Sequence, residues 1–176
     1  MILYVIRHGI AEEREPAEDD GARRLTPRGR QRIRGAAAGL RAIGVRFDVL
    51  LTSPLVRAAE TATIVAEIYG GQPVPRELPA LAQGAPPAET VRALQPFLRH
   101  GHVGIVGHEP GLSEVVALLV TGSPDGMALS LKKGGVVALE LRGRAPRTHA
   151  KLRWLLAPRH LRRIGRAVRK RLLPGV

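Results

Sequence analysis

The chain has 176 residues, of which 44% are hydrophobic and 3% aromatic, and its formal net charge is +13. This length and composition predict a single globular domain, spanning residues 1–176, with a core of aliphatic side chains. The sequence contains no cysteine, which excludes disulfide bonds and catalysis by a cysteine thiolate.

The apolar runs of the sequence are all short. The first, Met1–Ile6, lacks both the length and the preceding positive region of a secretory signal. No run approaches the ~18 apolar residues of a membrane-spanning helix. We therefore expect a soluble cytoplasmic protein without a membrane span.

Six short apolar runs predict β-strands, because each is bounded by turn-forming or charged residues. In chain order they are Met1–Ile6, Phe47–Leu51, His102–Val106, Ala128–Leu131, Val136–Leu141 and Leu152–Leu156. The fourth and fifth flank a predicted turn at Lys132–Gly135. The acidic stretch Glu12–Gly21 and the segment Val74–Gly84 lack periodicity and are predicted to be irregular.

Five segments with apolar residues at helical spacing predict α-helices. Two of them start with a hydroxyl N-cap followed by proline, at Thr26-Pro27 and at Thr52-Ser53-Pro54. Glycines stop several of them. The predicted helices begin near Pro27, Pro54, Pro86, Leu112 and Pro158, and end near Gly44, Gly70, Leu98, Val120 and residue 173.

Strands that alternate with helices predict an α/β fold, with three layers (α/β/α) and a mostly parallel central sheet. In such sheets ligands bind at the carboxyl ends of the strands. Polar turns follow three of the predicted strands, namely Arg7-His8-Gly9, Thr52-Ser53-Pro54 and Gly107-His108-Glu109. The sequence thus places the candidate site at this edge of the sheet.

The residues of these segments suit a phosphate group. His8 stands beside the fixed cation of Arg7, and Gly9 permits a sharp turn and the close approach of a ligand. Arg57 lies in the first turn of a predicted helix, where backbone N–H groups already favour anions. His108 follows its strand as His8 does, so both can face one pocket. Alone, each fits a structural role, such as a capping histidine or a solvated arginine; together they favour catalysis.

Three motifs in this order resemble those of the histidine phosphatase superfamily, whose fold is phosphoglycerate-mutase-like. They are Arg7-His8-Gly9, then Ser53-Pro54 with Arg57 and Thr61, then Gly107-His108, and the match extends over roughly residues 1–140. The short chain and the run Gly-His-Glu-Pro-Gly-Leu-Ser resemble the small SixA-type phosphohistidine phosphatases in particular.

The resemblance implies that His8 attacks phosphorus and becomes phosphohistidine. Arg7, Arg57 and His108 would hold the peripheral oxygens, and Gly9 and Glu109 would complete the substrate pocket. Phosphate or sulfate is expected to occupy this site. No metal or other cofactor is expected, because arginine and histidine cations would neutralise the transferring group.

The general acid that larger superfamily members carry after the second helix has no counterpart here, since the one acid of that region, Glu77, precedes the expected position. The candidates are Glu12 or Glu13, the Glu18–Asp20 loop and Glu109. A missing acid favours an N–P substrate, because an imidazole leaving group has a pKa of ~6.5 and needs little help to leave.

The C-terminal part of the chain is strongly basic. Residues 141–176 contain twelve Arg or Lys and no acid, which leaves 16 basic and 15 acidic residues in the first 140. The predicted basic helix, at about 158–173, has three interpretations: a solvated helix packed on the sheet, a docking surface for acidic partners or phosphorylated proteins, or a surface for nucleic acid or an anionic membrane. Nucleic acid is not an expected partner, because Trp154 is the only tryptophan and no aromatics interleave the basic residues.

The predicted activity is therefore hydrolysis of phosphohistidine on a protein through a covalent intermediate on His8. Two alternatives stay open. One is a broad phosphomonoesterase that acts on small phosphorylated molecules with the same residues. The other is a non-enzymatic adaptor that binds polyanions through the basic C-terminal helix.

Overall fold

A computed structural model describes residues 1–13, 19–141 and 150–172 of the chain. Its strands are β1 (Ile2–Arg7), β2 (Val49–Thr52), β3 (Arg76–Glu77), β4 (His102–Gly107), β5 (Val136–Glu140) and β6 (Lys151–Leu156). Its α-helices are α1 (Pro27–Ala42), α2 (Val56–Ile68), α3 (Pro87–Ala93), α4 (Gly111–Thr121) and α5 (Pro158–Leu172), with short 3₁₀ turns at Asp20–Ala22, Pro79–Leu81 and Gln95–Phe97. Glu18 and residue 173 lie outside the described residues.

The strands form one mixed sheet in the order β3-β2-β4-β1-β5-β6. The first four of these are mutually parallel, whereas β5 runs antiparallel to β1 and β6 antiparallel to β5. The predicted α/β fold with a mostly parallel sheet is therefore confirmed. Because β1, β2 and β4 are neighbours, their carboxyl ends meet at one edge.

Helices cover both faces of the sheet, as the three-layer prediction requires. Tyr4 and Ile6 of β1 face a core built with α1, α2 and α5. Leu3 and Val5, which point the opposite way, face a core built with α3 and α4. The continuous apolar character of β1 thus follows from burial on both sides. None of the described helices is both long and apolar enough to cross a membrane.

Several predicted boundaries were wrong. Residues 128–131 form no strand, because β5 already pairs with the free edge of β1. The backbone of Leu131 bonds instead to side chains: its C=O accepts from Arg7 and its N–H donates to Glu109. The helix predicted from Pro86 to Leu98 ends at Ala93 and continues as a 3₁₀ turn, because the ring of Pro96 is incompatible with an unbroken helix.

Other differences concern the second strand–helix unit. β2 begins at Val49 rather than at Phe47, whose ring packs edge-on against those of Tyr4 and Tyr69. Helix α2 begins at Val56, and Ser53 does not cap it; the Ser53 hydroxyl instead accepts the N–H of Leu55 at 3.2 Å. Part of the segment 74–84 is regular, as strand β3 and a 3₁₀ turn.

Helix α1 behaves as its sequence predicts. The hydroxyl of Thr26 accepts the N–H of Gly29 at 2.9 Å, and Gly44 has a φ of +80° just past the end of the helix. Its glycines let α5 approach closely: Gly39 faces the backbone of Leu161, and Gly165 of α5 faces the backbone of α1. The basic C-terminal helix is thereby packed on α1, with Leu161 fully buried between them.

Replacing Gly39 by alanine should lower the free energy of unfolding by about 2 kcal/mol, because the new Cβ would collide with the carbonyl oxygen of Leu161. Urea unfolding followed by circular dichroism measures this. Gly35→Ala is the matched control: its Cβ would lie 3.1 Å from Cγ of Arg162, a flexible side chain that can move. The control should stay within about 1 kcal/mol of wild type, and an equal loss in both variants would contradict the close-packing argument.

Candidate active site

The three predicted segments do converge at the carboxyl edge of the sheet. The N–H of His8 donates to the carbonyl oxygen of Gly107 at 3.1 Å, which ties the first turn to the third. The N–H of Ser53 donates to the carbonyl oxygen of Val106 at 2.9 Å, which ties the second turn to the same strand. His8 and His108 consequently face each other, with ring centroids 5.0 Å apart.

His8 is held as one tautomer. Its Nδ1 lies 2.7 Å from the carbonyl oxygen of Gly9, and because a carbonyl can only accept, Nδ1 carries the proton and Nε2 has a free lone pair. The imidazole is buried, with 6% of its surface exposed. Burial lowers the pKa of His8 to about 3, and the nearby charges of His108, Arg57 and Arg7 add to the effect, so the ring is neutral at pH 7.

His108 is held through its other nitrogen. Nε2 lies 2.8 Å from the hydroxyl oxygen of Ser53. That oxygen also accepts the N–H of Leu55, and its own proton has no other acceptor in the described part of the chain, so we assign the hydroxyl proton to the bond with Nε2 and the ring proton to Nδ1. Nδ1 is buried and has no hydrogen-bond partner among the described residues. Burial, followed by Arg57, lowers the pKa of His108 to about 4, so the ring is neutral here rather than the cation that the sequence suggested.

Arg57, in the first turn of α2, is fully buried beside the histidines. Its Nη1 donates to the carbonyl oxygen of Asp20 at 2.6 Å, and its Nη2 donates to Oδ2 of Asp20 at 2.9 Å and to Oε1 of Gln83 at 2.8 Å. Desolvation raises the pKa of Asp20, but the charges of Arg57 and Arg23 outweigh it and hold this pKa below its usual value. Nε of Arg57 is left unpartnered within the described part of the chain.

Arg7 adds a second cation at the end of β1. Its Nη1 donates to the carbonyl oxygen of Leu131 at 2.6 Å, and its buried Nε has no partner among residues that the structure describes. Lys133 lies on the rim, and its pKa is lowered by burial and by the charges of Arg7, Arg23 and Arg57. Cations crowded in this way repel one another, and an anion placed among them relieves that repulsion.

Gly9 and Thr61 fix the turn that carries His8. The N–H of Gly9 donates to Oγ1 of Thr61 at 3.0 Å, and the Thr61 hydroxyl donates to the carbonyl oxygen of Arg57 at 2.7 Å. A side chain at position 9 would press on Ile33 of α1, 2.8 Å from its Cγ1. Gly9 is therefore placed to orient His8 through its carbonyl, while its N–H is engaged by α2.

The described candidates for a general acid are held as acceptors or lie in solvent. Glu109 accepts the N–H of Leu131 through Oε1 at 2.9 Å and the hydroxyl of Ser113 through Oε2 at 2.6 Å. Glu12 is exposed and its Oε2 accepts the N–H of Arg24 at 3.3 Å, and Glu13 is exposed.

Sequence reasoning missed several residues of this site. The sequence presents Asp20 as a candidate acid and not as the partner of Arg57, and nothing in the pattern around Gln83 indicates a contact with Arg57. The position of Ser53 before Pro54 predicts a helix cap and not a partner of His108. Such roles depend on which loops meet above the sheet, and local patterns carry little information about that.

Comparison with known proteins finds a matching family model and a curated relative. A family model described as histidine phosphatase superfamily (branch 1) matches residues 3–82. An uncharacterized protein of Picosynechococcus sp. is 36% identical over 145 residues, which are 79% of this chain and 84% of that protein.

Solved structures share the fold. The structure of the protein histidine phosphatase SixA complexed with tungstate has a TM-score of 0.80 at 24% identity, covering 92% of this chain and 99% of that one. The α-ribazole phosphatase from Shigella flexneri has a TM-score of 0.73 at 20% identity, covering 90% of this chain and 97% of that one. Similarity at this level of identity concerns the fold and leaves the substrate open.

The free energy of unfolding should fall as the pH drops from 6.5 toward 4. In the unfolded chain both histidines take up protons near pH 6.5, whereas in the folded protein His8 does so near pH 3 and His108 near pH 4. Between pH 6.5 and 4 the unfolded state therefore binds more protons than the folded state, so lowering the pH stabilises the unfolded state relative to the folded one. His8 alone accounts for on the order of 3 kcal/mol at pH 4. Urea unfolding at several pH values measures the slope, and His8→Gln should make it shallower; parallel curves would refute a buried neutral His8.

Proposed function

The chain belongs to the histidine phosphatase superfamily, and from that premise we propose that it hydrolyses phosphohistidine on a protein through a phosphorylated His8. The observation that carries the proposal is the free lone pair on Nε2 of a buried, neutral imidazole, set among buried N–H groups that have no partner in the described structure. This combination suits a nucleophile that meets a phosphoryl group.

In the first step Nε2 of His8 attacks phosphorus in line with the bond to the substrate nitrogen. The new N–P bond forms as the substrate N–P bond breaks, and the departing imidazole keeps the electron pair and takes up a proton. The proton stays on Nδ1, and its hydrogen bond to the Gly9 carbonyl oxygen supports the positive charge that develops on the ring. Water then attacks the phosphorylated His8, releasing inorganic phosphate and restoring the free imidazole.

We assign three N–H groups to the peripheral oxygens of the transferring group, namely Nε of Arg7, Nε of Arg57 and Nδ1 of His108. Nε of Arg23 is likewise buried without a partner among the described residues, on a side chain that pairs with Asp20. The three assigned groups are all buried, so a hydrogen bond to an anionic oxygen is stronger there than in water and costs little reorganisation. A phosphate dianion would also raise the pKa of His108, so its neutral ring can gain a proton as substrate binds.

The substrate class follows from how the carboxylates are used. Asp20 is paired with Arg57 and Arg23, and both oxygens of Glu109 accept other hydrogen bonds. Although desolvation raises the pKa of Asp20, the charges of Arg57 and Arg23 hold it below its usual value, so Asp20 is a poor proton donor. An alkoxide leaving group needs a donor, whereas an imidazole with a pKa of ~6.5 can be protonated by solvent. The site therefore favours an N–P bond over an alkyl O–P bond.

Phosphohistidine should be hydrolysed far faster than an alkyl phosphate. We expect wild type to dephosphorylate a phosphohistidine-bearing protein rapidly and phosphoglycerate slowly, and His8→Ala to act on neither. Release of inorganic phosphate measures both reactions. Equal or faster action on phosphoglycerate would keep His8 as the nucleophile but replace the proposed substrate with a small phosphorylated molecule. Unchanged activity in His8→Ala would overturn the mechanism.

Removing the hydroxyl of Ser53 should impair catalysis through His108. Ser53→Ala leaves Nε2 of His108 without its partner, so the ring loses its fixed tautomer, and we expect kcat/KM to fall about tenfold. Thr52→Val is the matched control, because this adjacent buried hydroxyl donates only to the backbone of Ser53. Steady-state kinetics should separate the two variants, and an equal loss in both would assign the effect to general disturbance of β2.

A further inference from the structure

The arginines of α1 fall into two rows with different surroundings. The row that faces α2 is neutralised: Arg30 pairs with Glu60 at 2.5 Å, and Arg34 pairs with Glu67 at 3.3 Å. The other row, Arg28 and Arg32, pairs with no carboxylate among the described residues. The two rows thus differ in how far their charge is compensated.

The unpaired row lies beside a second unpaired row on α5, formed by Arg162 and Arg166. Burial lowers the pKa of Arg162, and the charges of Arg32, Arg166 and Arg28 lower it further, so all three guanidinium groups act on that of Arg162. Helices α1 and α5 contain no acidic residue. We refer to Arg28, Arg32, Arg162 and Arg166 as the basic face.

The packing of the two helices holds the basic face together. Glycines at the contact bring the backbones close, and the stem of Arg162 lies over Gly35, where a Cβ would be 3.1 Å from its Cγ. Leu161, one residue before Arg162, is fully buried. The cations are therefore brought together by apolar packing and do not spread freely over the surface.

The turn beside the nucleophile contacts both helices that carry the basic face. The N–H of Gly134 donates to the carbonyl oxygens of Arg7 and His8, at 3.0 and 3.1 Å. On its other side, a Cβ at Gly134 would lie 3.0 Å from Cδ1 of Ile33 on α1 and 3.6 Å from Cβ of Pro158 on α5. The turn that contacts the nucleophile thus packs against the N-terminal parts of both helices.

We propose that the basic face is a docking surface for an acidic patch on the protein that delivers its phosphohistidine to His8. This inference rests on the proposed function, since a protein substrate must lay its own surface around the site. Unpaired cations beside that site attract carboxylates, speed encounter and orient the partner. A protein is favoured over nucleic acid because the face adjoins the site that would receive a phosphorylated side chain, and α1 and α5 contain no Phe, Tyr or Trp on which bases could stack.

Two synthetic peptides test the proposal. Each has one phosphohistidine followed by a tail of about ten residues. The tail is rich in glutamate in the first peptide and rich in serine and glycine in the second. Such a tail spans about 33 Å when extended, enough to run from a site along a helix. The readout is the ratio of kcat/KM for the two peptides within each enzyme, which cancels any general loss of activity. The enzymes are wild type, R28E/R166E and the control R92E/R99E. Arg92 and Arg99 are exposed on the other face of the sheet, and their substitution changes the net charge by the same amount.

We expect a ratio of about ten for wild type and for the control, and of about one for R28E/R166E, with the preference shrinking as salt is added. A wild-type ratio near one, or an equal loss in the control, would overturn the docking surface. If neither peptide is dephosphorylated, the proposed function fails, and fluorescence anisotropy of the unphosphorylated acidic peptide tests the face by itself. If wild type and the control bind this peptide and R28E/R166E does not, the docking surface is supported. If wild type does not bind it, the docking surface is refuted. Tighter, equally sensitive binding of a DNA duplex would assign the face to nucleic acid instead.

Discussion

The hydrogen bond from Nδ1 of His8 to the carbonyl oxygen of Gly9 is the contact on which the rest of the site depends. It fixes the imidazole proton on one nitrogen and leaves the other free for a ligand. The carbonyl can point there only because the Gly9 N–H is anchored by Thr61 on α2 and because α1 presses on the turn where a side chain would collide with Ile33. The helices on either side of the turn thus set the tautomer of the proposed nucleophile.

A second constraint is the burial of positive charge. Arg57 is fully buried, with Asp20 as its counterion and Gln83 as a further hydrogen-bond acceptor, because an isolated buried guanidinium would be very costly. The histidines meet the same constraint differently, by remaining neutral. A phosphate bound to the free Nε of Arg57 would be repelled by the carboxylate of Asp20 on the same guanidinium, yet it would relieve the repulsion among Arg7, Arg57 and Arg23. The affinity for the phosphoryl group is the difference between these two effects, which limits how tightly the product phosphate is retained.

The sequence predicted the fold class and the three segments that meet at the sheet edge, because strand ends, proline and glycine signals are local and strong. It failed where the outcome depends on neighbours. Residues 128–131 have the apolar character of a strand, but β4 and β5 already take the two places beside β1. Ser53 has the features of a helix cap, but the helix begins later and the hydroxyl bonds to His108. The roles of Asp20 and Gln83 follow from loops that approach Arg57 from separate parts of the chain, and no spacing in the sequence encodes that approach.

The distribution of arginines on α1 links the site to the surface. Screening confines the influence of exposed charges to about 10 Å at moderate salt, so Arg30 and Arg34, once paired with glutamates of α2, have little effect beyond their partners. Arg28 and Arg32 keep their field, because α5 adds cations instead of carboxylates. Glycines draw the two helices together, so the same packing that buries Leu161 concentrates this field near the turn that contacts His8. A charge asymmetry with no benefit to folding is better explained by recognition, because repulsion between the helices lowers stability unless an anionic partner compensates it.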